Sequence, residues 1–238
     1  MRRDDDRSLF EWIDDLATPE EEIRATLRDQ ALVNRRLGGC RAVTAHVAPL
    51  LARMGARALR VAEIACGGAD ISRHLVRLAR RQGREIAVIG VDRNPRVLAC
   101  ARQWSGAYPE IAFVCADALA LPFPPGAFDV ALLPAFLHHL APAQVIAALR
   151  QAARVSPACV IAVDLARSPL AAPGFRVFAR LAGFSAISRH DGLCSLRHAY
   201  TPRELLVLAH QANLPHARLY RHPWFRMTLV AGEGVSGE

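Results

Sequence analysis

Three acidic residues end or follow strand-sized apolar segments of the chain. Glu63, Asp92 and Asp117 each come after a run rich in valine, isoleucine and alanine. A carboxylate at the carboxyl end of a parallel strand can accept the two hydroxyls of a ribose, which is the role we expect for Asp92. Asp92 lies 29 positions after Glu63, a spacing that corresponds to one strand–helix–strand unit. The three acids therefore indicate a site for a nucleotide-like cofactor.

A turn of small residues follows Glu63 and leads into an amphipathic segment that begins at Ile71. Ala65, Gly67 and Ala69 would let the backbone of this turn approach a ligand closely. The first N–H groups of the helix behind the turn are available to an anionic or polar ligand. Tight packing of a strand against a helix is the alternative explanation for the same small residues.

Histidines supply the candidates for acid–base chemistry. His138 and His139 follow the fourth apolar run, and His190 precedes Asp191. Imidazole exchanges a proton near neutral pH, and a neighbouring carboxylate can orient it. We expect these three histidines to include the base that takes a proton from an acceptor. The alternative for the adjacent pair is that one ring packs inward and the other caps the end of the strand.

The elements that would hold these residues alternate between strands and helices. The pattern predicts an α/β fold with a mostly parallel sheet and helices on both faces. Strands are expected in 58–65, 86–92, 111–115, in 121–133 (the segment that leads into the fourth strand), and in 158–164, 217–221 and 225–231. Helices are expected near 8–16, 19–37, 41–53, 71–81, from 95, 141–155 and 202–212, with capping boxes at Thr18–Glu21 and Thr201–Glu204.

Two regions stand outside this alternation. Residues 1–56 are expected to form an N-terminal helical lid, and residues 57–238 the catalytic domain. Within the latter, 165–200 contains prolines, glycines and phenylalanines and is expected to be a cap inserted over the pocket. Near the end of the lid, Arg35 is a candidate to meet a carboxylate of the cofactor. A solvated arginine beside a helix stop explains it equally well.

The order of these features resembles class I S-adenosylmethionine-dependent methyltransferases. The segment Glu63-Ile-Ala-Cys-Gly-Gly-Ala69 is similar to their acid-x-Gly-x-Gly-x-Gly motif, with alanine at two of the three glycine positions. The resemblance implies a Rossmann-like fold with a seven-stranded sheet that ends in a reversed hairpin. It also implies S-adenosylmethionine as the cofactor, with Asp117 near the adenine amino group. The implied cofactor-binding residues are Arg35, Glu63, Ala65, Cys66, Gly67, Asp92, Arg93, Asp117, Ala118 and Pro134.

The acceptor is suggested by a narrower resemblance. Residues 121–133 and Phe136-Leu-His-His-Leu140 are similar to the corresponding segments of ubiquinone/menaquinone-type methyltransferases, and most of the chain is similar to bacterial methyltransferases of polyketide pathways. This implies methyl transfer to the oxygen or carbon of a small aromatic, phenolic or quinone-like acceptor in bacterial secondary metabolism. A catalytically impaired binding or scaffold protein is the alternative, because Ala65 and Ala69 could crowd the cofactor turn.

Two other enzyme classes fit the sequence poorly. The turn lacks the Gly-x-Gly-x-x-Gly pattern of dehydrogenases. In dehydrogenases the acid that binds the ribose follows the turn by roughly 20 residues, and Asp92 lies farther along the chain. The segment after the fourth strand, Leu133-Pro-Ala-Phe-Leu137, lacks the Asn/Asp-Pro-Pro-Tyr pattern of amide and DNA-base methyltransferases.

The composition limits the size of the core, the kind of partner and the cellular environment that we expect for this protein. The 238 residues are 52% hydrophobic, enough for one sizeable core, and the apolar runs are too short to span a membrane. The net charge of +8 comes from arginines spread along helices, so we expect no nucleic-acid partner. The six cysteines lack metal or redox spacing. We expect a soluble, cytoplasmic protein with reduced thiols and no metal, and a homodimer is compatible with the sequence.

Overall fold

Seven strands form one central sheet in the computed structural model, which describes residues 12–15 and 17–232. Their order across the sheet is β3-β2-β1-β4-β5-β7-β6. The strands β1 to β5 are parallel, and β7 pairs antiparallel with both β5 and β6. This confirms the predicted Rossmann-like sheet with its reversed hairpin. The strands are β1 (Leu59–Ile64), β2 (Ile86–Asp92), β3 (Ile111–Cys115), β4 (Val130–Pro134), β5 (Val160–Leu165), β6 (Arg218–His222) and β7 (Arg226–Ala231).

The first strand lies at the centre of the sheet, where β2 and β4 flank it. Glu63 pairs in register with Gly90 on one side and with Leu132 on the other. The parallel strands are buried along most of their length, which explains why they read as continuous apolar runs. Because their carboxyl ends share one edge, Glu63 and Asp92 are brought to the same end of the sheet.

Helices cover both faces, as the sequence predicted. One core packs α5 and α8 against the sheet, and the core on the other face packs α2 and α3. The helices of the described chain are α1 (Glu20–Arg36), α2 (Gly39–Arg53), α3 (Asp70–Arg81), α4 (Pro95–Trp104), α5 (Pro142–Val155), α6 (Ala171–Leu181), α7 (Ala186–His198) and α8 (Pro202–Gln211). Short 3-10 helices occur at Trp12–Asp14 and Leu137–His139.

One of the two predicted capping boxes forms. Thr201 accepts the N–H of Glu204 at 3.3 Å and gives its own N–H to Glu204 Oε2 at 2.8 Å at the start of α8. At the start of α1 the prediction was wrong, because Pro19 occupies the N-cap position without a side-chain bond. The Thr18 hydroxyl instead donates to the carbonyl of Trp12 at 2.5 Å.

The segment 165–200 contributes no strand and folds into the two helices α6 and α7. Helix α7 contacts both α1 and the 3-10 helix Trp12–Asp14. The predicted helix 8–16 lies largely outside the described residues, and its described part is that 3-10 helix. The division of the chain into a lid of residues 1–56, a domain of 57–238 and a cap of 165–200 stays a prediction.

The turn after β1 has the backbone conformation of a glycine-rich loop although two of its positions are alanine. Ala65, Gly67 and Ala69 have φ angles of 58°, 51° and 57°, in the left-handed region. An alanine pays roughly 1–2 kcal/mol for this conformation, because its Cβ approaches the following carbonyl oxygen. The methyl groups therefore cost stability at this turn without changing its path.

We expect Ala65→Gly to stabilise the protein. Relief of the left-handed strain exceeds the added entropy of glycine in the unfolded chain, for a net gain of about 0.5–1 kcal/mol in the free energy of unfolding. Urea denaturation measures this. Ala153→Gly, in the interior of α5, is the control and should lose about 1 kcal/mol. Loss of stability in both variants would contradict the strain at Ala65.

Candidate functional site

A cavity of about 990 Å³ opens at the carboxyl end of the parallel strands. Its walls come from the turn after β1, from the segments after β2, β3 and β4, from α1 and from the two helices of 165–200. The volume is at the upper end of the range for small-molecule sites. The position is the usual ligand site of open parallel sheets, where strand order reverses beside the first strand.

Nine of the ten predicted cofactor residues line this cavity. They are Glu63, Ala65, Cys66, Gly67, Asp92, Arg93, Asp117, Ala118 and Pro134. The structure thus brings together residues that span 72 positions of the sequence, from 63 to 134. Their individual contacts with a cofactor stay predictions.

Asp92 ties the end of β2 to the turn after β1. Its Oδ2 accepts the N–H of Gly67 at 3.0 Å, and its Oδ1 accepts the N–H of Asn94 at 3.0 Å. These bonds fix the carboxylate at the cavity wall and hold the turn in place. Asp117 is exposed on the same cavity, and its Oδ1 accepts the N–H of Leu119 at 2.8 Å. Both carboxylates are therefore oriented before any ligand binds.

Glu63 is a buried carboxyl group with one oxygen unsatisfied. Only 1% of the residue is exposed, and the Ser72 hydroxyl donates to its Oε2. Its Oε1 has no hydrogen-bond partner among the described residues. Burial, together with the nearby charge of Asp70, raises the pKa of Glu63 to about 8 in spite of the Ser72 bond. A cationic group at this wall would pair with the ionised form of Glu63.

Arg35 is the one predicted cofactor residue that does not face the cavity. It is exposed at the end of α1 and lines a separate pocket of about 140 Å³. Arg36 lines both this pocket and the large cavity, because the next residue on a helix points about 100° away. The arginine of this stretch that faces the cavity is therefore Arg36, which corrects the position predicted from the sequence.

A polar network joins α1, α3 and β7 beside the cavity. Asn34 Nδ2 donates to Asp70 Oδ2 at 3.1 Å, and its Oδ1 accepts from Arg226 at 3.2 Å. Arg226 is 3% exposed and also donates to the carbonyl of Leu37 at 2.8 Å. Burial lowers the pKa of Arg226, against the charge of Asp164 and other acidic neighbours. No sequence pattern indicated Arg226, because its partners are more than 180 residues away in the chain.

His138 forms a buried pair with Asp164. The ring Nδ1 lies 2.5 Å from Asp164 Oδ1, and the His138 N–H donates to Oδ2 at 3.1 Å. The two residues are 3% and 1% exposed. Burial alone would raise the pKa of Asp164, but the charge and hydrogen bonds of His138 and the N–H of Leu165 bring it below its usual range. An ionised Asp164 therefore holds the His138 ring at the cavity wall.

The sequence predicted that a strand ends at Asp164, but it did not identify this acid as part of the site. The signal was present, since Asp164 closes an apolar strand just as Glu63 and Asp92 do. The partner histidine could not be identified from spacing, because 26 residues separate it from Asp164.

His139 differs from His138 in its surroundings. It also lines the cavity, but the residue is exposed, and its ring centroid lies 4.1 Å from that of His138. In the short 3-10 helix, the His139 side chain points toward solvent and the His138 side chain points into the protein. The structure therefore separates the pair into one inward ring and one exposed ring.

His190 does not line the cavity, which corrects its predicted place beside an acceptor. Its ring stacks on Trp12 with the ring centroids 4.1 Å apart, and its Nδ1 lies 3.0 Å from Asp191 Oδ1. Asp191 is buried and accepts the N–H groups of Trp12 and Ile13 at 2.9 and 3.1 Å. This histidine and aspartate therefore attach the N-terminal segment to α7.

Aromatic side chains form the apolar part of the cavity wall. They are Phe136, Phe175, Phe178, Phe184, Trp224 and Phe225. Trp224 and Phe225 have φ angles of 63° and 55°, which is rare for bulky residues. The sequence placed Phe225 in the last strand, but it lies in the hairpin turn that presents both rings to the cavity. Strained residues of this kind concentrate at functional sites.

Gly192 gives Phe175 its place in this wall. A methyl group added at Gly192 would lie 2.5 Å from Phe175 Cε1, closer than real contacts allow. Glycine inside a helix costs roughly 0.5–1 kcal/mol relative to alanine. The close approach of α6 to α7 at the Phe175 ring provides the structural reason for this glycine.

Within residues 12–15 and 17–232, no three His, Cys, Asp or Glu side chains are grouped so that they could hold a metal ion. No helix of the described chain is long and apolar enough to cross a bilayer. All six cysteines are free thiols.

Comparison with known proteins connects this site to a family. Residues 61–158 match the family described as "Methyltransferase domain". A 75-residue stretch is 46% identical to the 2-phytyl-1,4-naphtoquinone methyltransferase of Thermosynechococcus vestitus. That stretch is 32% of this chain and 31% of that relative, so the comparison spans about a third of each protein.

Solved structures share the fold at low sequence identity. The CMeT domain of the citrinin polyketide synthase has a TM-score of 0.61 at 13% identity, over 78% of this chain and 50% of that one. The magnesium protoporphyrin IX methyltransferase of Synechocystis PCC 6803, solved with bound SAH, has a TM-score of 0.56 at 19% identity, over 82% and 84%. These structures confirm the Rossmann-like fold of the chain, and the family match places a methyltransferase domain in residues 61–158.

Glu63 should make the stability of the ligand-free protein depend on pH. Because its folded-state pKa of about 8 lies above the ordinary 4.5, its contribution is full below pH 4.5 and is lost as the pH rises through 8. Glu63→Gln should therefore lose less stability between pH 5 and 9 than the wild type, measured by urea denaturation. The exposed acid variant Glu85→Gln should follow the wild-type curve. Parallel curves for wild type and Glu63→Gln would refute the buried carboxyl.

Gly192→Ala should destabilise the protein by about 1–2 kcal/mol, because displacement of Phe175 outweighs the gain in helix propensity. Chemical denaturation gives the value. Gly174→Ala, on α6 with open space around the added methyl group, is the control and should gain up to about 1 kcal/mol. Phe175→Leu should remove most of the penalty of Gly192→Ala; full additivity of the two changes would exclude the contact.

Proposed function

We propose that this protein transfers the methyl group of S-adenosylmethionine to the oxygen or carbon of a small, planar, apolar acceptor of the phenol or quinone class. The observation that carries the proposal is the buried His138–Asp164 pair, because its histidine lines the same cavity as Glu63, Asp92 and Asp117. Cofactor-type residues and an oriented imidazole thus share one enclosed space.

The residues at the ends of β1, β2 and β3 would hold the cofactor. Asp92 would accept the ribose hydroxyls and Asp117 would lie near the adenine. Glu63 Oε1 would pair with the cationic part of the molecule, and Arg36 would face its carboxylate. When bound, S-adenosylmethionine supplies a methyl group activated by a sulfonium.

The protein's own contribution to the chemistry is positioning and proton removal. Because Nδ1 of His138 bonds to Asp164, Nε2 is the nitrogen that can accept a proton from an acceptor hydroxyl or carbon. The ionised Asp164 stabilises the imidazolium that this transfer creates. The aromatic wall excludes water, and it fixes the acceptor in a single orientation toward the methyl group.

The class of acceptor is inferred from the cavity wall and from the matched relative. Six aromatic side chains favour a flat or apolar molecule over a peptide or a polynucleotide. The relative that matches 75 residues is named for a naphthoquinone substrate that carries a phytyl chain. A quinone or its reduced phenolic form satisfies both observations. A role in bacterial secondary metabolism, a cytoplasmic location and a homodimer stay predictions.

Calorimetric titration with S-adenosylmethionine and S-adenosylhomocysteine tests the cofactor site. We expect micromolar binding of both, about −8 kcal/mol, and none of NAD or NADP. Asp92→Ala should weaken both. Binding without methyl transfer to any phenol or quinone would favour the scaffold alternative, and absence of binding would refute the proposal.

Substitution of the two adjacent histidines tests the base. His138→Gln and Asp164→Asn should each lower kcat by about 10²–10⁴, the range for loss of general base catalysis, while cofactor affinity is retained. His139→Gln should change kcat much less, since the ring that lies 2.5 Å from Asp164 Oδ1 is that of His138, whereas His139 is exposed. Steady-state kinetics with a phenolic acceptor, together with calorimetry of each variant, measures this. Equal losses in both histidine variants would reject His138 as the specific base.

A further inference from the structure

Helix α6 is apolar on two opposite sides. Its inner side lines the cavity with Phe175 and Phe178. Its outer side carries Leu170, which immediately precedes the helix, followed by Val177 and Leu181, with 68%, 61% and 83% of their surfaces exposed. The spacing of these three residues, together with the exposed Pro173, places them in one stripe along the helix.

This stripe is unusual for a protein surface. Exposed apolar residues normally occur singly, whereas contiguous ones mark contact sites. A helix that is apolar all around is normally buried in a core or in lipid. Here the inner side faces the cavity, and no described element covers the outer side. The stripe therefore requires a partner outside the described chain.

The charges beside the stripe identify the chemistry of that partner. Arg176 and Arg180 are the only charged residues of α6, and both are exposed on its outer side. Neither forms a hydrogen bond or an ion pair with the described residues. A twofold contact between two copies through this side would bring the four arginines close together, which like-charge repulsion disfavours. An anionic lipid surface accepts both the apolar stripe and the guanidinium groups.

We propose that α6 docks this protein on the surface of anionic membranes. Leu170, Val177 and Leu181 enter the boundary between headgroups and acyl chains, and Arg176 and Arg180 bind lipid phosphates. Because the opposite side of the same helix is a wall of the cavity, docking places the acceptor compartment next to the lipid. This inference rests on the proposed function, since it names the source of an apolar acceptor: molecules dissolved in the bilayer.

Vesicle co-sedimentation of the full chain tests the proposal. Binding to an equimolar mixture of phosphatidylcholine and phosphatidylglycerol should exceed binding to phosphatidylcholine alone and should fall with added salt. Leu181→Asp should weaken the partition constant at least about tenfold. Arg176→Gln and Arg180→Gln should each weaken it about fivefold.

Matched variants on α8 are the controls. Val207 is 50% exposed and Arg203 is exposed, both away from α6. Val207→Asp and Arg203→Gln should bind vesicles as the wild type does. Equal effects of the α6 and α8 variants would overturn the proposal, as would equal binding to the two kinds of vesicle. A dimer in analytical ultracentrifugation that Leu181→Asp dissociates would also overturn it, because a second copy would then cover the stripe.

Calorimetry with S-adenosylhomocysteine separates this proposal from the proposed function. Leu181→Asp should retain wild-type affinity for the cofactor product, since the residue lies on the outer side of α6. A wild-type protein that binds the cofactor product but not vesicles would overturn the docking alone. A protein that binds vesicles but neither cofactor form would overturn the proposed function alone.

Discussion

The site depends on the alignment of parallel strands. In a parallel sheet every carboxyl end points the same way, so acids that end successive strands converge although they are distant in the chain. Glu63, Asp92 and Asp164 end β1, β2 and β5 in this way. The central position of β1, between β2 and β4, places its carboxyl end in the middle of the cavity wall. The turn after β1 must accordingly adopt the left-handed geometry even where its residues are alanine.

The three acids differ in their surroundings, and burial shifts the pKa values of Glu63 and Asp164 in opposite directions once their partners are included. Glu63 has a hydroxyl partner and one bare oxygen, so desolvation dominates and its pKa rises to about 8. Asp164 is equally buried, but a histidine and backbone N–H groups oppose the desolvation, and its pKa falls. Asp92 accepts two backbone N–H groups at the cavity wall. Glu63 is therefore a carboxyl group that stays protonated below about pH 8, Asp164 orients an imidazole, and Asp92 is fixed by the turn that it holds.

The helices outside the regular alternation determine what can enter. Asp191 on helix α7 accepts hydrogen bonds from the N-terminal segment. The Phe175 ring of α6 packs against Gly192 of α7. These contacts place phenylalanine rings on the wall of the cavity that His138 also lines. The same helix α6 presents leucine, valine and arginine outward, so an element of the cavity wall is also part of the protein surface.

The sequence by itself determined the succession of strands along the chain, the position of the turn and most of the residues that line the cavity at the ends of β1 to β4. Each of these depends on local patterns, namely apolar runs, small residues and acids that end strands. Only the tertiary structure assigned Arg36 in place of Arg35, removed His190 from the cavity, and paired His138 with Asp164 and Arg226 with Asn34. These choices depend on the rotation of a helix by one residue and on contacts between segments up to 192 residues apart. Residue spacing along the chain predicts neither the helix rotation nor these long-range contacts, because the packing of helices on the sheet determines which side chains meet.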